Sequence, residues 1–313
     1  MAFGPQPKDH SARPRRDQAA APRPTLLGAL TARPLESIVG EATEALLGRE
    51  SAETSSLKGT AMAEEPLIAV FVDYENLAIG VRDMNKGPFQ IELVLRRLLE
   101  KGRIVFKRAY CDWKHYRDAV PELHRHGIEM VNIPASKASG KNSADIRMVT
   151  DAIDLCYSKS HIDTFGLLTG DSDFSPLAAK LKENNKRVIG CGVKSSTSDL
   201  LIENCDEFIL YDDLIRAAQK PHGLKRQRPR DPKKQEAFDR IVEIASSLAL
   251  DHDVVWGSMV KQAIRRVYPN FNEDYYGYSS FGKLLEDMQK EGLVELGGER
   301  PGNYSIRIKG EGA

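Results

Sequence analysis

Between residues 66 and 214, short apolar runs alternate with stretches whose apolar residues recur at helical spacing. LIAVFVD, RIVFKRAYC, IEMVNIP, TFGLLTG, RVIGCGV and EFILY read as strands. QIELVLRRLLEKG, HYRDAVPELHRHG, ADIRMVTDAIDLCY, PLAAKLKENN and SDLLIENC read as the helices between them. In the first of these helices Ile91, Val94, Leu95, Leu98 and Leu99 share a face, and Gly102 stops it. Ser175-Pro176 reads as a cap and first turn. Strands that alternate with helices imply an α/β fold, a parallel sheet covered on both faces.

In such a sheet, ligands bind outside the carboxyl ends of the strands, near the point where strand order reverses. The first strand ends at Asp73, in VFVDYENL. The fourth runs into LLTGDSDF, which sets Asp171 and Asp173 just past its carboxyl end. Residues two apart on extended backbone point the same way. Asp145 opens a helix after the loop ASKASGKNSA. A single Asp at a strand end or helix start reads as a cap. Four of them at matching ends of two strands and a helix read better as one site. Carboxylates held that close repel unless a cation neutralises them. Oxygen ligands without His or Cys favour Mg²⁺ or Mn²⁺, which activates water and stabilises phosphate charge.

The chain has 313 residues, room for two domains. Its 45 Lys plus Arg balance 45 Asp plus Glu, so net charge names no partner and only its distribution can. No apolar run reaches the roughly 18 residues that span a membrane. The first 20 residues lack the apolar core of a signal peptide. Cys111, Cys156, Cys191 and Cys205 lie far apart with no C-x-x-C pair, which suits a reducing cytoplasm. Residues 1–65 are rich in Ala, Pro, Arg, Ser and Thr. They read either as a disordered extension or as an upstream stretch that is not translated, with the true start near Met62. Residues 215–235 read as a linker, with eight basic residues against one acid over 216–234. From 236 to 313 three helical stretches and the hairpin of GLVELGG and NYSIRI imply a small winged helix-turn-helix.

VFVDYENL, KNSADIRMVTDA and LLTGDSDFSPL, in this order, resemble the NYN domain, a PIN-like nuclease fold, in particular its LabA or DUF88 group. The resemblance covers about residues 66–212, within a domain expected over 66–214, and implies a three-layer α/β/α sandwich and metal-dependent cleavage of RNA. It carries the metal-binding and catalytic roles to Asp73, Asp145, Asp171 and Asp173, and a catalytic role to Asn76, whose alternative is a cap for the following helix. Asp151 matches a further acid of the family. It lies roughly 600° around the helix from Asp145, so the two do not face one ion, and it reads as outer or structural. The stretch from Val254 to Leu296 resembles the OST-HTH, or LOTUS, domain, which implies binding of RNA or of a protein partner.

Lys137, Lys141 and Asn142, in the loop before Asp145, are candidates to hold an RNA backbone, or belong to a plain solvated loop. Lys261, Arg265 and Arg266 form one basic helix edge, solvated or phosphate-contacting. Tyr275, Tyr276, Tyr278 and Phe281 read mostly as core. The expected function is an RNA-cleaving enzyme that cuts internally and is recruited to substrate by its linker and C-terminal domain. The rival is a binding protein of the same fold that cleaves nothing, against which the retained set of mutually repelling acids argues. Toprim and haloacid phosphatase sites also use D-x-D. The first wants Glu where this chain has Asp73, and the second wants a D-x-D-x-T that DYENL is not.

Overall fold

The computed structural model describes residues 65–134, 143–219, 231–298 and 304–309. The expectations for residues 1–64, for Lys137, Lys141 and Asn142, and for the linker residues Lys225, Arg226, Arg228 and Arg230 lie outside the described residues.

Six strands form one parallel sheet: β1 (Leu67–Asp73), β2 (Arg103–Cys111), β3 (Glu129–Asn132), β4 (Thr164–Leu168), β5 (Arg187–Gly192) and β6 (Glu207–Leu210). Their order is β3-β2-β1-β4-β5-β6. β1 is central, and alternation splits its side chains between two cores. Ile68, Val70 and Val72 join a cluster built with α1 (Tyr74–Asp83), α2 (Ile91–Lys101), α3 (Val120–Arg125) and α7 (Tyr211–Gln219). Ala69 and Phe71 join the opposite cluster, with α4 (Ser143–Ser158), α5 (Ser175–Glu183) and α6 (Asp199–Asn204). A strand buried on both sides needs the continuous apolar run that VFVD ends.

The C-terminal region has its own core, with Phe238, Ile241, Ile244, Val260, Leu284 and Val294 among its members. It holds α8 (Pro232–Leu248), α9 (Gly257–Val267) and α10 (Phe281–Lys290). The strands β7 (Val255–Trp256), β8 (Val294–Gly297) and β9 (Ser305–Ile308) pair antiparallel in the order β7-β9-β8. Tyr276, Tyr278 and Phe281 are buried there as core, whereas Tyr275 is exposed.

Three local readings need correction. The expected linker is helical at both ends, because α7 runs to Gln219 and α8 begins at Pro232, capped by Asp231. Ser175 does not cap α5: it is the first helical residue, and its buried hydroxyl makes no hydrogen bond. The hairpin gains a third strand, since Trp256, the first residue of the helix expected over WGSMVKQAIRRVYP, pairs with Ser305 instead, and Val255 before it pairs with Ile306. The four cysteines are free, and no described helix is long and apolar enough to cross a membrane.

Candidate active site

Strand order reverses between β1 and β4, which run side by side with Val72 opposite Leu168. The backbone after β1 turns directly into α1, and the backbone after β4 turns the other way, so a crevice opens at their carboxyl ends. Asp73 ends β1 and also caps α1, its Oδ1 accepting from the Asn76 amide at 3.3 Å. Its other oxygen accepts from the Thr169 hydroxyl at 3.0 Å. Thr169 in turn accepts from the Asp171 amide at 3.2 Å, and Asn76 Oδ1 accepts from the Gly170 amide at 2.9 Å. The ends of β1 and β4 are thereby fastened by side chains, not by the sheet alone. Gly170 is required by crowding: a Cβ there would lie 2.6 Å from the Ser196 carbonyl oxygen.

Asp73 is 8% exposed. Burial is the largest cause that pushes its carboxyl up to about 7, and the charges of Asp145 and Asp171 push the same way. The hydrogen bonds from Asn76 and Thr169 oppose the rise without cancelling it. Asp145 and Asp171 are therefore each within electrostatic reach of Asp73. Asp171 caps a short 3-10 turn, its Oδ1 accepting from the Asp173 amide at 3.0 Å, and Asp173 is exposed beside it. Among the described residues, no three His, Cys, Asp or Glu side chains are grouped closely enough to hold one ion. In chemistry the residues fit a hard cation: every donor is an oxygen, and the innermost carboxyl carries charge at a cost.

That cost has a pH signature. A carboxyl held above its usual 3.8 contributes stability that is complete below the unfolded value and lost as pH rises through about 7. The metal-free protein should therefore melt lower at pH 8 than at pH 5. Asp73 accounts for about 2–3 kcal/mol of the difference, since part of its contribution is already lost between 3.8 and pH 5. Thermal melts in EDTA across that range check this: Asp73→Asn should flatten the profile, and an unchanged profile would overturn the assignment.

Asp151 is structural. Although partial burial works against it, hydrogen bonds from Tyr110, Arg108 and Arg147 hold its carboxyl below the usual carboxylate range. Lys261 and Arg265 pair with Glu273 at 3.0 and 3.7 Å, so this stretch of the expected basic edge is engaged inside its own domain. Lys233 sits over the Tyr275 ring and Lys234 pairs with Asp287 at 3.2 Å. Two residues at the site escape the sequence reading. Thr169 links two acids, and Asp112, 9% exposed just past β2, is a further carboxylate at the same end of the sheet. An acid directly after RIVFKRAYC was the available signal for Asp112.

Residues 67–212 match the NYN domain family, and residues 233–306 match the OST-HTH/LOTUS domain family. An uncharacterized protein of Methanocaldococcus jannaschii is 29% identical over 170 residues, which cover 51% of this chain and 65% of that protein. The match thus spans a little under two thirds of that relative's length. The crystal structure of a protein of unknown function from Vibrio parahaemolyticus aligns with a TM-score of 0.44 at 26% identity, over 50% of this chain and 98% of that one. The six-stranded parallel sheet with its crevice at β1 and β4, followed by a small domain of three helices and a wing, is that of an NYN domain of the PIN-like nuclease superfamily carrying an OST-HTH/LOTUS domain at its C-terminal side.

Proposed function

We propose that the protein is a metal-dependent ribonuclease of the LabA or DUF88 type that hydrolyses RNA phosphodiesters internally, in the cytoplasm. The observation that carries this reading is the buried Asp73 carboxyl, on which the charges of Asp145 and Asp171 both act, at the strand-order reversal. A site that only bound RNA would have no use for clustered acids, which repel phosphate as well as each other. Asp73, Asp145, Asp171 and Asp173 would hold one or two Mg²⁺ or Mn²⁺ ions, which when bound supply Lewis-acid stabilisation of phosphate charge and a water of lowered pKa.

The chain's own residues do the positioning. Thr169 and Asn76 fix both oxygens of Asp73 and tie β1 to β4, so the carboxyl cannot rotate away from the crevice. Asp173, exposed at the mouth, is where substrate first meets the acid set. Substrate recruitment falls to the linker and the OST-HTH/LOTUS domain, so RNA affinity should fall steeply with salt, as phosphate contacts require.

The test is a cleavage assay of purified full-length protein on mixed RNAs. Internal cuts should appear with Mn²⁺ or Mg²⁺ and vanish in EDTA. RNA binding with no cleavage in either metal would assign the protein to the non-catalytic, RNA-binding alternative.

A further inference from the structure

Next to the acid crevice, the described residues enclose an open pocket of about 650 Å³, within the size range of small-ligand sites. Its inner wall is aromatic: Tyr74 meets Tyr116 at 5.4 Å and 74°, and Phe89 at 5.9 Å and 75° between rings. Tyr74 and Phe89 are buried by this packing, whereas Tyr116 is half-buried and keeps open surface. Arg82 and His115 supply donors at the rim, and Asp118 and Glu122 supply acceptors.

Position and charge narrow the occupant. Tyr74 directly follows Asp73, and His115 and Tyr116 lie in the segment that leaves β2 beyond Asp112. The pocket therefore opens at the same end of the sheet as the acids, on the β2 side of β1. Two carboxylates share the rim with one guanidinium and one imidazole, and the latter two lie beside Asp83 and Asp112, so the rim offers no surplus positive charge to a phosphate. A flat, uncharged group with an apolar face and mixed donors and acceptors on its edge fits all of these features, and a nucleobase has that chemistry.

We propose that this pocket takes one unpaired nucleobase of an RNA strand whose neighbouring phosphate lies at the acid crevice. The inference rests on the RNA-cleaving reading for the placement of the strand, and its binding half is tested without cleavage. A base paired in a duplex has its edge occupied and its faces stacked, so the pocket selects single-stranded segments. Stacking on an aromatic ring contributes enough to change affinity by about tenfold or more.

Trp113 reports on the site, since its ring lies 5.3 Å from that of Tyr74. In full-length protein carrying Trp256→Phe, Trp113 is the remaining tryptophan. RNA hexamers would be titrated in EDTA as an intact single strand, as the same strand with one abasic ribose scanned along it, and as a duplex. The intact strand should change Trp113 fluorescence. It should also bind about tenfold more tightly than the duplex and than the abasic strand with its gap at one register. Tyr116→Ala should remove that advantage and Tyr116→Phe should keep it. Glu122→Gln, a change at the rim, gives a second reading should Tyr116→Ala not fold, and should alter the ranking among the four bases at the sensitive register. Equal affinity for intact and abasic strands at every register, or an advantage that survives Tyr116→Ala, would overturn the pocket. Base-dependent binding without any cleavage in Mn²⁺ would uphold the pocket and sink the nuclease reading. Cleavage that ignores the abasic gap would do the reverse.

Discussion

Asp73→Asn should melt at a higher temperature than the parent at pH 8 in EDTA, ignore millimolar Mn²⁺, and cleave RNA more slowly by about 10²- to 10⁴-fold. The three effects have one origin. Asn keeps the cap, since its carbonyl oxygen can still accept from the Asn76 amide. It removes a charge that burial and two neighbouring carboxylates disfavour, so the folded protein gains stability where the aspartate is ionised. An ion at 100 times its dissociation constant stabilises the parent by about 2.7 kcal/mol. The variant loses an anionic ligand and most of that gain. The same loss removes several kcal/mol of transition-state charge stabilisation, which sets the range of rates. Melting curves with and without Mn²⁺, and single-turnover cleavage at saturating RNA, measure all three. A variant that melts lower in EDTA would mean that hydrogen bonding at Asp73 outweighs its charge strain. A variant that cleaves at the parental rate would remove Asp73 from the chemistry.

How much of this was legible depended on whether a residue's role is local. β1 is a continuous apolar run that stops at an acid, and D-x-D follows the apolar end of β4, so both strand ends could be read directly. α1 could not. Asp73 is both the last residue of the strand and the cap of the helix, so no turn residues separate the two elements. Thr169 acts by reaching across to Asp73, which depends on the pairing of β1 with β4, and nothing local to TFGLLTG encodes that register. Arg266 was readable as a cation on a helix but not as to its partner. Its Nε and one Nη donate to the Leu99 and Glu100 carbonyl oxygens, capping the last turn of α2 from another domain.

Arg97→Ala should destabilise the protein by about 3–5 kcal/mol and split its unfolding into two transitions. Arg97 lies on α2 and is 8% exposed. Its guanidinium donates to Glu100 at 2.7 Å, to the Ser247 hydroxyl at 2.7 Å and to Asp251 at 2.7 Å. Lys101 holds Asp251 and Glu207 at 2.6 Å each, and Ser247 donates to Glu100 at 2.5 Å. These groups fasten α8 and the residues after it onto α2. Both Arg103, which starts β2, and Glu207, which starts β6, lie at the amino end of the sheet. The OST-HTH/LOTUS domain is therefore docked at the end of the sheet opposite to the acids. Removing Arg97 leaves Glu100 and Asp251 short of a partner in a site where burial already raises the Glu100 carboxyl. Replacing both partners by apolar groups avoids that penalty, so Arg97→Met with Glu100→Met should recover most of the loss. Calorimetry on the parent, the single variant and the double variant decides the matter. One unchanged transition in Arg97→Ala would mean that this contact is incidental and that the remaining ones, Lys101 to Asp251 and Arg266 to the end of α2 among them, hold the two domains together.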